Sequence, residues 1–217
     1  KPTIVLMTKW HAIKRCKSRL SRQIGAINAA RIQEKLTNHT IAVAKRIQEE
    51  NLAEVTIAVE GIGINAAKKW ARLKKIKKIE LQGSGNLGTK MKRQFYKAFS
   101  EKKNPNKVTS PIVLIGTDLP SLSHLDLKQA IELLHYKDMV LGPSTDGGYW
   151  LIGLSEKLLN PLSKWPFSGI EWGTDQVLKE TIRLAKLNQI NYQLLKEKND
   201  LDNVSDLSPW LNPKSFQ

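Results

Sequence analysis

The chain has 217 residues, 41% of them hydrophobic and 25% charged, a composition that suits one soluble α/β domain over residues 1–217 with a substantial core. No apolar run approaches the roughly 20 residues that span a bilayer, nothing in KPTIVLMTKW resembles a signal peptide, and the single cysteine, Cys16, excludes an internal disulfide and points to a reducing cytoplasm. With 35 basic and 20 acidic side chains the net charge is +15, which attracts anions without choosing among nucleic acid, anionic lipid and a nucleotide-linked substrate.

Thr3 to Met7, TIVLM, reads as a first strand, and it feeds a basic loop from Lys9 to Arg22 that contains no acidic residue. A strand leading through a loop to a helix is a common phosphate-handling arrangement at a sheet edge. A mobile basic loop without a ligand has the same composition. Asn28 to Glu50 has helical periodicity through Ala29, Ile32, Leu36, Ile41, Ala44 and Ile47. Val55 to Val59 is a second strand, giving a strand, helix, strand unit whose crossover is expected to be right-handed. The tract KKWARLKKIKK, Lys68 to Lys78, reads as a solvated basic helix face in preference to a nucleic-acid patch. Trp70 within it reads as a packing residue.

Ile79 to Leu81 starts a third strand that runs into QGSGNLGTKM, where Gly83, Gly85 and Gly88 permit close backbone approach. A helix from Lys90 to Glu101 would aim its positive end back at this loop, although a plain tight turn explains the glycines equally well. Lys102 to Thr109 reads as a polar surface loop.

Pro111 to Pro120, PIVLIGTDLP, is the most informative stretch. Its short β-branched run between Pro111 and Gly116 fits a central strand buried on both faces, and it delivers Asp118 to the carboxyl end, where open α/β sheets bind ligands. Asp118 then either caps the following turn or offers a hard oxygen to Mg²⁺ or Mn²⁺ against a diphosphate. A helix from His124 to His135 is expected to bury Leu125, Leu127, Ala130, Ile131 and Leu134. His11, His39, His124 and His135 lack metal-ligand spacing.

Met139 to Leu141 is another short strand. Asp146, Gly147 and Gly148 form a turn before the strand Tyr149 to Leu154, either a simple Asp-Gly hairpin or a turn presenting amides and a carboxylate to a substrate. Phe167 to Thr174 is a loop ahead of a helix from Asp175 to Leu187, and Tyr192 to Leu195 is a last strand. The tail gathers Asp200, Asp202 and Asp206 in an otherwise basic protein. Asp202 is the candidate second carboxylate, and Asp206 is expected to cap a turn at Leu207 to Trp210.

The segments KRCKSRL, QGSGNLGTKM, IGTDLP, GPSTDGGYWLIGL, GIEWGT and DLDNVSDL, in this order, resemble a bacterial GT-A-type transferase family, formerly a domain of unknown function and also called radical-SAM/selenodomain-associated transferase 1. That family is similar to molybdenum-cofactor and 2-phospholactate guanylyltransferases. The resemblance covers most of the chain and implies a Rossmann-like three-layer sandwich of nucleotide-diphospho-sugar transferase type around a mostly parallel sheet. It implies a nucleotide or nucleotide-sugar donor held by Lys9, Lys17, Arg19, Gln82, Gly83 and Gly85, with Lys17 and Arg19 on the donor phosphates. It also implies Mg²⁺ or Mn²⁺ on Asp118 and Asp202, and a small-molecule acceptor near Gly147, Gly148 and Trp172, with Asp118 and Asp146 catalytic. Glycosyl transfer is the expected reaction, with nucleotidylyl transfer to a phosphorylated acceptor as the alternative. A basic nucleic-acid-binding protein is the alternative of another class, which the resemblance disfavours. Two departures bear on nucleotide affinity and activity: Ile13-Lys14 stands where the family has Pro-Gly, and Asn86 where it has Asp.

Overall fold

Short aliphatic, β-branched runs bounded by glycine, proline or charge form seven strands among the described residues, as side-chain shape dictates. They are β1 (Thr3–Lys9), β2 (Glu54–Glu60), β3 (Lys78–Leu81), β4 (Ile112–Gly116), β5 (Met139–Pro143), β6 (Tyr149–Leu154) and β7 (Tyr192–Leu194). The computed structural model describes residues 1–100, 110–159 and 167–207. The loop expected at Lys102 to Thr109 lies outside them.

The sheet order is β3-β2-β1-β4-β6-β5-β7, which places β4 at the centre as its sequence predicts. Only β6 runs against the others, pairing antiparallel with both β4 and β5. The Asp146-Gly147-Gly148 turn therefore is a hairpin turn, the reading that local signals favour.

Among the described residues seven helices flank the sheet: α1 (Ser18–Ile24), α2 (Ala26–Glu49), α3 (Ile64–Leu73), α4 (Leu87–Ser100), α5 (His124–Leu133), α6 (Glu156–Leu159) and α7 (Val177–Leu187). The strand pleat sends alternate side chains to opposite faces. Ile4, Leu6, Val113 and Ile115 meet α2, α3 and α5 in one core, while Val5, Ile112 and Leu114 meet α4, α6 and α7 in the other. The result is the expected three-layer α/β sandwich with a mostly parallel sheet.

Two element bounds and one burial expectation stand corrected against the sequence reading. The basic loop keeps only its first half irregular, because Leu20 and Ile24 pack with Ala29, Leu36 and Leu201 and draw Ser18–Ile24 into α1. Helix α4 begins three residues before Lys90, since the Asn86 side chain caps it by accepting the Thr89 N–H at 2.9 Å. Leu125 is 63% exposed, not buried: the apolar stripe of α5 is Leu127, Ala130, Ile131 and Leu134, and Leu125 falls well round the helix from it. Trp70 is buried edge-on against Trp10, as expected of a packing residue.

Replacing Leu114, fully enclosed in β4, by alanine is expected to cost about 2–5 kcal/mol of unfolding free energy. Leu125→Ala is expected to stay within about 0.5 kcal/mol. Urea denaturation of the two variants side by side checks both values.

Candidate active site

The carboxyl ends of β1, β2 and β4, with the loop after β3, enclose a cavity of about 600 Å³. That is the edge where a parallel sheet presents ligand-binding loops, and the volume suits a ligand of nucleotide size. Lys9, Lys17, Arg19, Gln82, Gly85, Asp118 and Asp202 all stand in its wall. Among the described residues, Gly83, Asp146, Gly147, Gly148 and Trp172 do not.

Asp118 and Asp202 converge, and the group between them is the Lys17 ammonium. Lys17 Nζ lies 3.0 Å from Asp118 Oδ2 and 3.1 Å from Asp202 Oδ1, and it donates to the Leu201 carbonyl at 2.6 Å. An ammonium has three protons, so all are engaged. The Lys17 side chain is only 3% exposed. Burial alone would lower its pKa, but the Asp118 and Asp202 charges overcome this and hold it above the ordinary lysine value. The backbone of Lys17 is left-handed, with φ 49° and ψ 53°, which aims the side chain inward just before α1.

The C-terminal segment reaches the site through specific contacts. The Leu201 N–H donates to the Asp118 carbonyl at 3.0 Å, and Lys198 Nζ holds Asp126 Oδ2 at 3.0 Å at the capped start of α5. Asp206 accepts the N–H groups of Asp202 and Asn203 at 2.9 and 2.7 Å. It therefore closes the turn before it, Val204–Leu207 being a 3₁₀ turn that contains Asp206. Residues 208–210 of the turn it was expected to cap lie outside the described ones.

Asp118 is braced from below by buried polar groups that sequence reasoning missed. Gln33 Nε2 donates to Asp118 Oδ1 at 3.2 Å, and the hydroxyls of Thr37, Thr8 and Thr117 form a chain at 3.1 and 3.0 Å beneath. The signal was present in α2: Gln33, Thr37 and Thr40 occupy a buried face at helical spacing where aliphatic residues would be expected. Asp118 therefore keeps Oδ1 fixed and turns Oδ2 to the cavity side.

Asp200 is the second missed residue. Its Oδ2 accepts from Ser144 Oγ at 3.1 Å, while Oδ1 is buried without a partner among the described residues. Burial, together with the Asp118 charge, raises its pKa to about 7. Asp146 adds to the same negative field, so three carboxylates sit close to one another there.

The remaining expected ligands divide by their commitments. Arg19 is 71% exposed and only loosely paired with Asp202 at 3.9 Å, and Lys9 is exposed without an ion pair among the described residues. These are the cations free to meet an anion. Gln82 spends both amide protons on the Thr8 and Ala58 carbonyls at 2.9 Å, tying strand ends together. Gly83 lies under the Arg93 guanidinium, which bonds the carbonyls on either side of it. Asp146 Oδ1 accepts the Gly148 N–H at 3.0 Å, and Gly147, at φ 84°, lies so close to the Asp175 backbone that a Cβ would collide with it. Trp172 packs on Gly88 of α4 beside Phe167.

No cluster of three or more His, Cys, Asp or Glu side chains suited to a metal occurs among the described residues. The donor chemistry of the pair nonetheless fits a hard divalent cation. Asp118 and Asp202 are 42% and 40% exposed, already share one cationic point, and Mg²⁺ commonly uses one or two carboxylates plus phosphate and water.

The family described as "uncharacterized protein conserved in bacteria" (DUF2064) matches residues 42–174. The chain belongs to this family. No curated protein matches it in sequence. Among solved structures it is similar to a protein of Desulfovibrio desulfuricans G20 described as a candidate nucleotide-diphospho-sugar transferase, with 24% identity, a TM-score of 0.83 and coverage of 100% of this chain and 88% of that one. The 4-diphosphocytidyl-2C-methyl-D-erythritol synthase of Anaerococcus prevotii DSM 20548 superposes with a TM-score of 0.61 at 10% identity, over 95% and 94% of the two chains. Glucosyl-3-phosphoglycerate synthase of Mycobacterium tuberculosis, solved with Mn²⁺, UDP and glucosyl-3-phosphoglycerate, superposes with a TM-score of 0.52 at 10% identity, over 92% and 70%. At these identities the likeness establishes the GT-A-like nucleotide-diphospho-sugar transferase fold.

The folded-state pKa of Asp200, about 7, exceeds its ordinary 3.8, so the folded chain holds a proton that the unfolded chain releases between those values. Its contribution to stability is full below about pH 4 and is lost as pH rises to about 7. Asp200→Asn is therefore expected to melt above the parent at about pH 8, with the gain shrinking toward about pH 4. A melting-temperature series across pH checks this, and a gain that ignores pH contradicts it.

Proposed function

We propose that the protein is a divalent-metal-dependent transferase that uses a nucleotide-activated donor, transferring a glycosyl group from a nucleoside diphosphate sugar to a small-molecule acceptor. The observation that carries this reading is the meeting of Asp118 and Asp202 beside a cavity of about 600 Å³ at the carboxyl edge of a parallel sheet. The nucleotide-diphospho-sugar transferase fold supports it, and among fold neighbours both glycosyl and cytidylyl transfer are represented.

Asp118 and Asp202 would hold Mg²⁺ or Mn²⁺, which when bound offsets negative charge on a leaving diphosphate. Lys9 and Arg19, the cations with free donors, would take donor phosphate oxygens. Lys17 reaches phosphate only by leaving its three present acceptors. Were Lys17 to turn to a donor phosphate, Asp118 and Asp202 would be left free to hold the cation between them. Gln33 fixes the orientation of Asp118 throughout. Asp146, whose Oδ2 stays open at the hairpin tip, would orient or deprotonate the acceptor hydroxyl, with Gly147, Gly148 and Trp172 bordering that side.

The shared fold of the 4-diphosphocytidyl-2C-methyl-D-erythritol synthase supports nucleotidylyl transfer as a second reading. The same residues would then serve attack on the α-phosphorus of a nucleoside triphosphate. Pyrophosphate release marks nucleotidylyl transfer; release of a nucleoside diphosphate marks glycosyl transfer.

A thermal-shift screen of nucleotides and nucleotide sugars, with and without Mn²⁺, tests the class. The expected result is a metal-dependent rise with one nucleotide, on the order of 3 kcal/mol of added stability at a hundredfold excess over Kd, abolished in Asp118→Ala. No shift with any ligand contradicts the reading.

A further inference from the structure

Between Glu60 and Glu80 there is no acidic residue, while Lys68, Lys69, Arg72, Lys74, Lys75, Lys77 and Lys78 fall within this stretch. Apart from Lys78, none of these is in an ion pair with a described residue. Other surface cations of the protein do find partners, such as Arg46 and Lys128 on Glu50 or Arg183 on Glu180.

The geometry concentrates this charge on one surface. Helix α3 turns Ala67, Trp70 and Ala71 into the core, so Lys68, Lys69, Arg72 and Leu73 share the opposite face. The turn that follows is fixed by Ile76, which is buried and donates its N–H to the Ala71 carbonyl at 2.9 Å. Lys75 sits there at φ 56°, in the left-handed region that glycine would occupy without strain. A cation is thus presented at a position where the backbone favours no side chain at all. Lys74, Lys75 and Lys77 lead directly into the start of β3, at the edge of the sheet opposite the cavity, and none of the α3 cations lines that cavity.

Leu73, 74% exposed, stands at one border of the α3 cations beside Lys69, and Ile64, 38% exposed, stands at the other border beside Lys68. We propose that this face of α3 and the turn after it dock the protein on an anionic lipid surface, with Leu73 entering the headgroup layer and the lysines meeting lipid phosphates. Compact ammonium charges act additively on a diffuse negative surface and fall off within a Debye length. An exposed apolar side chain beside several lysines pairs a group that enters the headgroup layer with charges that meet lipid phosphate. Nucleic acid would be better served by planar guanidinium and stacking aromatic groups, yet the face carries one arginine and its sole aromatic, Trp70, is buried.

Co-sedimentation of the whole chain with vesicles of phosphatidylcholine, with or without about 30% phosphatidylglycerol, tests the proposal. The expected result is at least about tenfold stronger partition onto the anionic vesicles, weakening steeply with salt. The triple variant Lys68→Glu, Lys69→Glu, Arg72→Glu is expected to lose that preference, and Leu73→Glu to weaken binding by about tenfold. Both alter solvent-facing side chains outside the cavity, and their melting temperatures should match the parent. Equal partition onto both vesicle types, or variants that bind like the parent, overturns the proposal. So does binding to a short DNA duplex that exceeds the vesicle affinity and is unchanged in Leu73→Glu, which would assign the face to nucleic acid.

Discussion

One buried ammonium organises the candidate site. Lys17 joins three segments far apart in the chain: the loop after β1, the end of the central strand at Asp118, and the C-terminal segment at Leu201 and Asp202. Taking a lysine out of water is costly, and the cost is offset here only because each of its protons meets an oxygen and two of those oxygens are anionic. The arrangement also lets two carboxylates sit side by side, which without a cation between them would repel. Removing Lys17 leaves two like charges side by side, and removing either carboxylate leaves the buried ammonium with one anionic partner fewer.

The fold supplies the setting. Parallel strands bring Thr8, Thr117 and Asp118 to one edge, and α2 passes beneath them with Gln33 and Thr37. A chain of buried hydroxyls and one amide satisfies itself and fixes a single carboxylate oxygen, while the other faces the cavity. Reversal of β6 sets the Asp146 hairpin beside Asp200 on the far side of the same edge. The Lys17 cluster and the Asp146 hairpin thus sit on different elements, with Asp200 and Asp202 of one C-terminal segment beside them.

Much of this was legible in the residues. A β-branched run between Pro111 and Gly116 marked the central strand, and the spacing of apolar residues marked α2 and α5. The motif resemblance brought Asp118 and Asp202 together although no local signal could, since their meeting depends on the Leu201 backbone reaching the Asp118 carbonyl. What was not legible depended on tertiary partners. Ser18–Ile24 becomes helical because Leu20 finds Leu201. Lys17 reads as a phosphate ligand, and the three acceptors that now hold it come from segments far away in sequence. Asp200 looks like a surface acid until burial and neighbouring charge are counted.

The two departures from the family pattern also acquire physical content. Lys14 keeps φ 64°, the conformation a glycine would hold there at less cost. Asn86 caps α4 as well as aspartate would, but brings no negative charge to the cavity wall it lines. The central claim is that Lys17 binds both carboxylates as one unit, and a double-mutant cycle of Lys17→Met and Asp202→Asn in urea denaturation measures that coupling directly. The account predicts a coupling energy of at least about 1 kcal/mol, whereas effects that add within about 0.3 kcal/mol would contradict it.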